Sequence, residues 1–217
     1  MVPRTSSCVP KLLRFLFCLY FLPVVFLSAV ILAGLQLDLS FALFTRDPAA
    51  VAGMHPFVGV ASNLGIVLWS AAATLCLFSG AVLWRNDSKT RTAAYFFCSG
   101  CLTVILLLDD LFLLHEGLSG RCGVPDTVIY LGYAGLILCG VVLFRKCILE
   151  TDYLVLLPAL GFFGLSVLVD HFSCRIEASL GQWRILIEDG LKFLGIVGWF
   201  GYFFKSCLAA VRGRDHA

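Results

Sequence analysis

Thr92-Ala-Ala-Tyr-Phe-Phe-Cys-Ser-Gly-Cys-Leu-Thr-Val-Ile-Leu-Leu-Leu-Asp-Asp-Leu-Phe-Leu-Leu-His115 decides the fold. These 24 residues hold no Lys or Arg. At about 1.5 Å per residue a helix of that length crosses the ~30 Å hydrocarbon core of a bilayer. The apolar side chains follow one another without the alternation of a membrane strand. Backbone groups inside lipid must find partners within their own segment, so the run reads as a helix. Similar runs lie at residues 15–36, 57–84, 127–148, 153–174 and 184–208, which gives six expected spans with this one at 92–115. The turns between them are short and rich in Arg, Asp, Asn, Pro and Gly, as in Arg85-Asn86-Asp87 and Gly123-Val124-Pro125-Asp126. None is long enough for a separate domain, so residues 1–217 read as one integral membrane domain, an all-α polytopic bundle of transmembrane helices.

The composition agrees. Of the 217 residues 60% are apolar, mean hydropathy is +0.94, and 14% are charged, where a soluble domain carries about 25%. Lys and Arg set the orientation, because cytoplasmic segments hold the positive excess. One side collects Arg4, Lys11, Arg14, Arg85, Lys89, Arg91, Arg145, Lys146, Lys205, Arg212 and Arg214, eleven in all, and the other Arg46, Arg121, Arg175 and Arg184, four. Both termini are then expected in the cytoplasm. The first run reads as an uncleaved anchor, since ~22 apolar residues exceed the h-region of a signal peptide, about 7–15. The net charge of +2 forms no dense basic tract. That gives no support to nucleic acid as a partner and leaves the lipid bilayer.

In this orientation four helices bring polar groups to one outer depth. The third ends Asp109-Asp110-Leu111-Phe112-Leu113-Leu114-His115-Glu116 and the fifth ends Asp170-His171. The sixth begins with Glu188-Asp189-Gly190-Leu191-Lys192, and the second follows His55 with Ser62 and Asn63. A charge at mid-bilayer costs about 2.5–3.5 kcal/mol on insertion scales, and such groups face a bundle interior or water. Five carboxylates, Asp109, Asp110, Asp170, Glu188 and Asp189, stand against one cation within the spans, Lys192, four residues after Glu188 and able to pair with it. Protonation, His115 or His171, a neighbouring Arg or a bound cation would relieve the surplus.

Asp109, Asp170 and Glu188, one per helix, are the candidate shared site, with His115, Glu116, His171 and Asp189 as adjacent ligands or proton carriers. Asp109 and Glu116, seven residues apart, share a helix face. Asp109 and Asp110 diverge by about 100°, so one of them is available to a neighbouring helix. Carboxylate with imidazole suits zinc, manganese or iron, and carboxylates alone suit calcium or magnesium. The plainer reading is that these groups cap helices, hydrate, or bind Arg121, Arg175 and Arg184. There is no HExxH, and neither His115 nor His171 has a second histidine one turn away. A haem between the two is argued against by the carboxylates around them.

Most of the ten cysteines lie inside spans, where a thiol behaves as a small apolar residue. Cys122 and Cys174 fall in different outer loops and are the candidate disulfide, tying the third helix to the fifth. Cys98-Ser-Gly-Cys101 has redox-motif spacing, but near the cytoplasmic end of its helix a reduced, packing role is favoured. Gly195, Gly198 and Gly201 in the sixth helix, with Gly161 and Gly164 in the fifth, let helices approach closely, within the chain or in a homo-oligomer.

Leu107-Leu-Asp-Asp-Leu-Phe-Leu-Leu-His-Glu116 together with Ile187-Glu-Asp-Gly-Leu-Lys-Phe-Leu-Gly195 resembles a group of uncharacterised bacterial multi-pass membrane proteins, over most of the chain. The resemblance implies a bacterial inner-membrane setting and brings no activity with it. A looser comparison is with membrane hydrolases of the alkaline ceramidase and adiponectin-receptor type, which hold zinc with three histidines. Their last-helix pair of histidines is missing here, so their chemistry is not carried over. Three functions follow from the residues. The first is a metal-dependent membrane hydrolase, in which a divalent cation (Zn, Mn, Fe, Ca or Mg) activates water. The second is a cation or proton transporter, and the third a non-catalytic component that docks a partner.

Overall fold

The computed structural model describes residues 8–55, 57–85, 90–172, 181 and 183–213. Among these the chain is helical throughout, without strands. In order come α1 (Cys8–Leu37), α2 (Ala42–Thr45), α3 (Pro48–Val51), α4 (Val60–Trp84), α5 (Thr90–Phe112), α6 (Leu114–Cys122), α7 (Asp126–Leu143) and α8 (Arg145–Leu149). A 3₁₀ turn (Tyr153–Val155) leads into α9 (Leu156–His171), and α10 (Trp183–Val211) follows. Among the described residues five segments are long and apolar enough to cross a membrane: Leu16–Leu37, Val60–Trp84, Thr90–Phe112, Tyr153–His171 and Trp183–Val211. By length and composition this is a multi-pass helical membrane protein.

Residues 127–148 do not form one continuous span. Phe144 leaves helical geometry (φ −107°, ψ 19°), and the chain restarts as α8 with Cys147 and Ile148 buried. The apolar helix before the break, Thr127–Leu143, is shorter than the other five. At 1.5 Å per residue the 18 residues of α7 reach about 27 Å, slightly less than the hydrocarbon thickness.

The chain divides into two compact units, Met1–Val58 and Gly59–Ala217. In the first, α1 ends with Asp38 in the left-handed region (φ 50°) while the Leu39 N–H donates to the Gly34 carbonyl at 3.0 Å. This is a Schellman-type stop. The Phe41 ring lies over Gly34, 2.6 Å from where a Cβ would stand. Asp47 caps α3, its Oδ1 accepting from Ala49 and Ala50 at 2.8 and 3.2 Å.

In the second unit α4 packs against α5 and α10, and α9 packs against α10. Lipid tails are as apolar as Leu, so close packing and interhelical hydrogen bonds hold such helices together. Both are present. Trp69 of α4 stacks on Phe163 of α9 at 5.7 Å and meets Trp199 of α10 edge-on at 5.9 Å. Trp199 Nε1 donates to Thr103 Oγ1 at 3.1 Å, and the hydroxyls of Tyr95 and Tyr202 are 2.7 Å apart. The Thr151 hydroxyl joins Tyr202 at 2.9 Å. Cys98 and Cys101 are free thiols, both exposed rather than packed in the core.

The glycines expected to permit close approach separate into two kinds. A Cβ on Gly195 would meet the Phe163 ring at 2.7 Å, and one on Gly198 would meet Ala159 Cβ at 2.9 Å, so these two are used where α9 crosses α10. Gly161, Gly164 and Gly201 have open space around them. Gly198→Val is therefore expected to destabilise the protein by about 1–3 kcal/mol through overpacking, whereas Gly201→Ala should stay within about 0.5 kcal/mol. Thermal unfolding in detergent checks this, and equal effects at the two positions would contradict the α9 and α10 contact.

Candidate functional site

The end of the bundle that carries Asp109 is built on a break. Leu113 sits in the left-handed region (φ 49°, ψ 46°), where an L-residue costs roughly 1–2 kcal/mol, and separates α5 from α6. A leucine has no oxygen with which to cap α6. Asp109 supplies one from the preceding turn: its Oδ1 accepts the His115 backbone N–H at 2.8 Å. Its Oδ2 lies 2.9 Å from His115 Nδ1, so one buried carboxylate holds both the main chain and the ring of His115. The expected shared face of Asp109 and Glu116 assumed a continuous helix. The break at Leu113 removes that geometry and folds His115 back over Asp109 instead. The Glu116 side chain lies outside the described part of the structure.

α7 completes this corner. The Tyr133 hydroxyl interacts with the Asp109 carboxylate, and the Tyr130 ring centroid is 6.1 Å from that of His115. Neither tyrosine was among the sequence candidates. Their spacing of one helical turn, Tyr130 and Tyr133, was the available signal.

Asp110 points elsewhere, as the 100° divergence requires. Lys192 Nζ of α10 lies 2.5 Å from its Oδ1, with the Asp110 side chain 6% exposed and that of Lys192 40%. Its Oδ2 has no hydrogen-bond partner among the described residues. The expected pairing of Lys192 with Glu188 is thus corrected. The buried carboxylate has the greater need of a countercharge, and Glu188 instead takes Arg184 one turn earlier, at 2.6 Å. The Glu188 carbonyl accepts from Ser166 Oγ of α9 at 2.9 Å.

Of the three carboxylates proposed to share a site, Asp170 and Glu188 lie within electrostatic reach of each other, with Asp189 nearby. Asp109 has His115 as its partner. Asp170 is half-buried and Asp189 exposed. His171 is exposed, its ring edge-on to Phe172. Ser62 and Asn63 are exposed, and the α4 residue that faces Asp110 is Gly65, whose Cβ position is 4.0 Å from Oδ2. No three His, Cys, Asp or Glu side chains among the described residues are grouped to hold a metal. Cys122 is exposed at the end of α6, and Cys174, the other half of the expected disulfide, lies outside the described residues.

A family profile described as Domain of unknown function (DUF8692) matches residues 18–206. The chain belongs to the DUF8692 family. The DUF8692 match runs from within α1 to the last turns of α10, so Asp109, Asp110, His115, Glu188 and Lys192 all fall inside it. No curated protein and no solved structure matches the chain.

Removing one partner of a buried ion pair typically costs about 3–5 kcal/mol. Lys192→Met should fall toward the low end of that range, because Lys192 is partly exposed. The double variant Asp110→Asn with Lys192→Met should recover most of the loss. Thermal unfolding of the three variants measures it, and a double variant no more stable than Lys192→Met would show that the two groups do not compensate each other.

Proposed function

We propose that this chain is a six-span protein of a bacterial inner membrane, with α7 as the sixth crossing and both termini cytoplasmic. Its outer end binds a divalent cation through His115. The observation that carries the reading is the buried Asp109 carboxylate bound twice to one histidine. A carboxylate on Nδ1 fixes the tautomer and ring orientation and makes Nε2 a better ligand or base. Asp109 is then a positioning residue, and His115 is the group that meets the ligand. Glu116, the next residue on α6, is the candidate second donor.

Charge supports a cation here. Five carboxylates at this end face two fixed cations, Lys192 and Arg184, among the described residues. The reaction such a site suits is water activation against a lipid or lipid-linked substrate, with zinc, manganese or iron favoured by the imidazole donor. A transporter would need polar groups leading onward. Thr103, the next polar side chain on the same face of α5, is seven residues from Asp110, about 10 Å along the helix, with Leu106, Leu107 and Ile196 packed around the core there.

The expected result with purified protein in nanodiscs is that Zn²⁺ or Mn²⁺ raises the melting temperature by mass action. His115→Ala should abolish the increment, and Asp109→Asn should weaken apparent affinity about 10- to 100-fold, the usual cost of losing a group that orients a ligand. Lys192→Met should leave the increment intact. An increment unchanged in His115→Ala would remove the site.

A further inference from the structure

Within the second unit a half-open crevice of about 300 Å³ lies among α5, α7, α9 and α10, running along α5 from Tyr95 to Ile105. Its lining is almost wholly apolar, with Leu102 and Ile105 from α5, Leu136 from α7, Leu160 from α9 and Phe203 from α10. Gly140 lines the crevice, and a Cβ there would meet nothing within 4 Å.

The chemistry of the walls selects the occupant. A void forfeits the dispersion contacts of the atoms around it, and a water needs two to four polar partners. The polar groups on the walls are already engaged. The Tyr95 hydroxyl bonds Tyr202 and interacts with Ser99, and Trp199 Nε1 bonds Thr103. Three of the wall helices, α5, α9 and α10, are long and apolar enough to cross a bilayer, whose solvent at this depth is hydrocarbon chain, and α7 is a shorter apolar helix beside them. One end of the crevice is basic. Arg91 Nη2 donates to the carbonyl of Leu143, a lining residue, at 3.2 Å, and Arg145 and Lys146 follow the lining residue Phe144, both exposed.

We infer that the crevice holds an acyl chain of an anionic phospholipid, whose phosphate is bound by Arg91, Arg145 and Lys146. Burial in lipid gives no advantage over any other tail, because tails are equally apolar everywhere. Selection comes from the fit of the chain against α7 and from charge at the headgroup. The basic end of the crevice, at Arg91, Arg145 and Lys146, lies at the opposite end of α5 from Asp109, and the inference does not depend on a cation at His115.

The test uses the full chain in phosphatidylcholine vesicles doped with a diazirine-tailed lipid bearing either a phosphatidylglycerol or a phosphatidylcholine headgroup. After photolysis the labelled peptides are mapped by mass spectrometry. The glycerol probe should label residues 98–105 and 136–143 severalfold more than the choline probe does. Gly140→Phe, which fills the crevice from an open position, should reduce that labelling severalfold while labelling at the exposed residues Val67 and Phe78 of α4 persists. Neutralising Arg91, Arg145 and Lys146 to Gln should erase the headgroup preference. Leu136→Trp serves as a second filling variant should Gly140→Phe not fold. Labelling of the crevice peptides that is indifferent to filling, or to the headgroup, would overturn the inference.

Discussion

A carboxylate inside an apolar bundle must have a countercharge, and the Asp110 and Lys192 pair meets that requirement between α5 and α10. Asp110 is nearly buried and cannot be solvated by water at this position, so the rotation of α5 that turns it inward also obliges α10 to present Lys192. The two helices run in opposite directions, and their next contact obeys the same register. Seven residues along each, Thr103 meets Trp199. Further along, Tyr95 meets Tyr202. α4 packs against both helices, and α5 and α10 are joined through long side chains, Lys192, Trp199 and Tyr202. One buried charge thereby sets the depth and rotation of two spans, and the intervening rungs are the hydrogen bonds that this alignment makes available.

The same alignment accounts for the neighbour of Asp110. Once Asp110 is turned to α10, Asp109 is rotated about 100° away. There it meets the break at Leu113 and receives the N–H and ring of His115. The two adjacent aspartates thus do different work because the helix separates their directions. Asp110 neutralises a cation across the bundle, and Asp109 bridges an interruption in its own chain. Tyr133 from α7 completes the second arrangement, which ties the shorter helix to the main bundle at one end. At the other end the Arg91 guanidinium holds the Leu143 carbonyl, and the crevice lies between these attachments.

Much of this was legible in the sequence. Runs of about 20 apolar residues identify spans because the bilayer leaves few alternatives, and five of the six expected runs are helices long enough to cross. The divergence of Asp109 from Asp110 also followed from helical geometry alone. Two breaks did not follow. Leu113 and Phe144 carry no glycine or proline signal, and the left-handed turn at Leu113 is bridged by Asp109 reaching His115 six residues on, a spacing that continuous helical periodicity does not bring together. The pairing of Lys192 with Glu188 failed for a related reason. A spacing of four residues makes a pair possible on the helix surface, where it contributes about 0.3–0.5 kcal/mol. A buried carboxylate on another helix competes for the same ammonium with a far larger penalty if it is left alone. Local spacing is a weak guide wherever burial differs between the candidate partners.

Polar groups along the bundle axis are graded in kind as well as position. Charged side chains lie at the end that holds Asp110, Lys192, Glu188 and Arg184 and again at the opposite end, with Arg91 and the Lys205 and Asp152 pair, while the buried groups between, on α4, α5 and α10, are hydroxyls, indoles and thiols, among them Cys76 and Cys207. Neutral groups can be satisfied in pairs within the apolar interior, as Thr103 with Trp199 and Tyr95 with Tyr202 are, at far lower desolvation cost than an ion. A cation reaching the charged end would therefore find its countercharges there and lose them on moving inward, since nothing at the level of Thr103 carries charge. Under the function proposed above, carboxylates arranged in this way would stabilise an ion at one depth and oppose its passage to the next. For the proposed cation site, that distribution suits a terminal position at the membrane edge better than a conduit through the bundle.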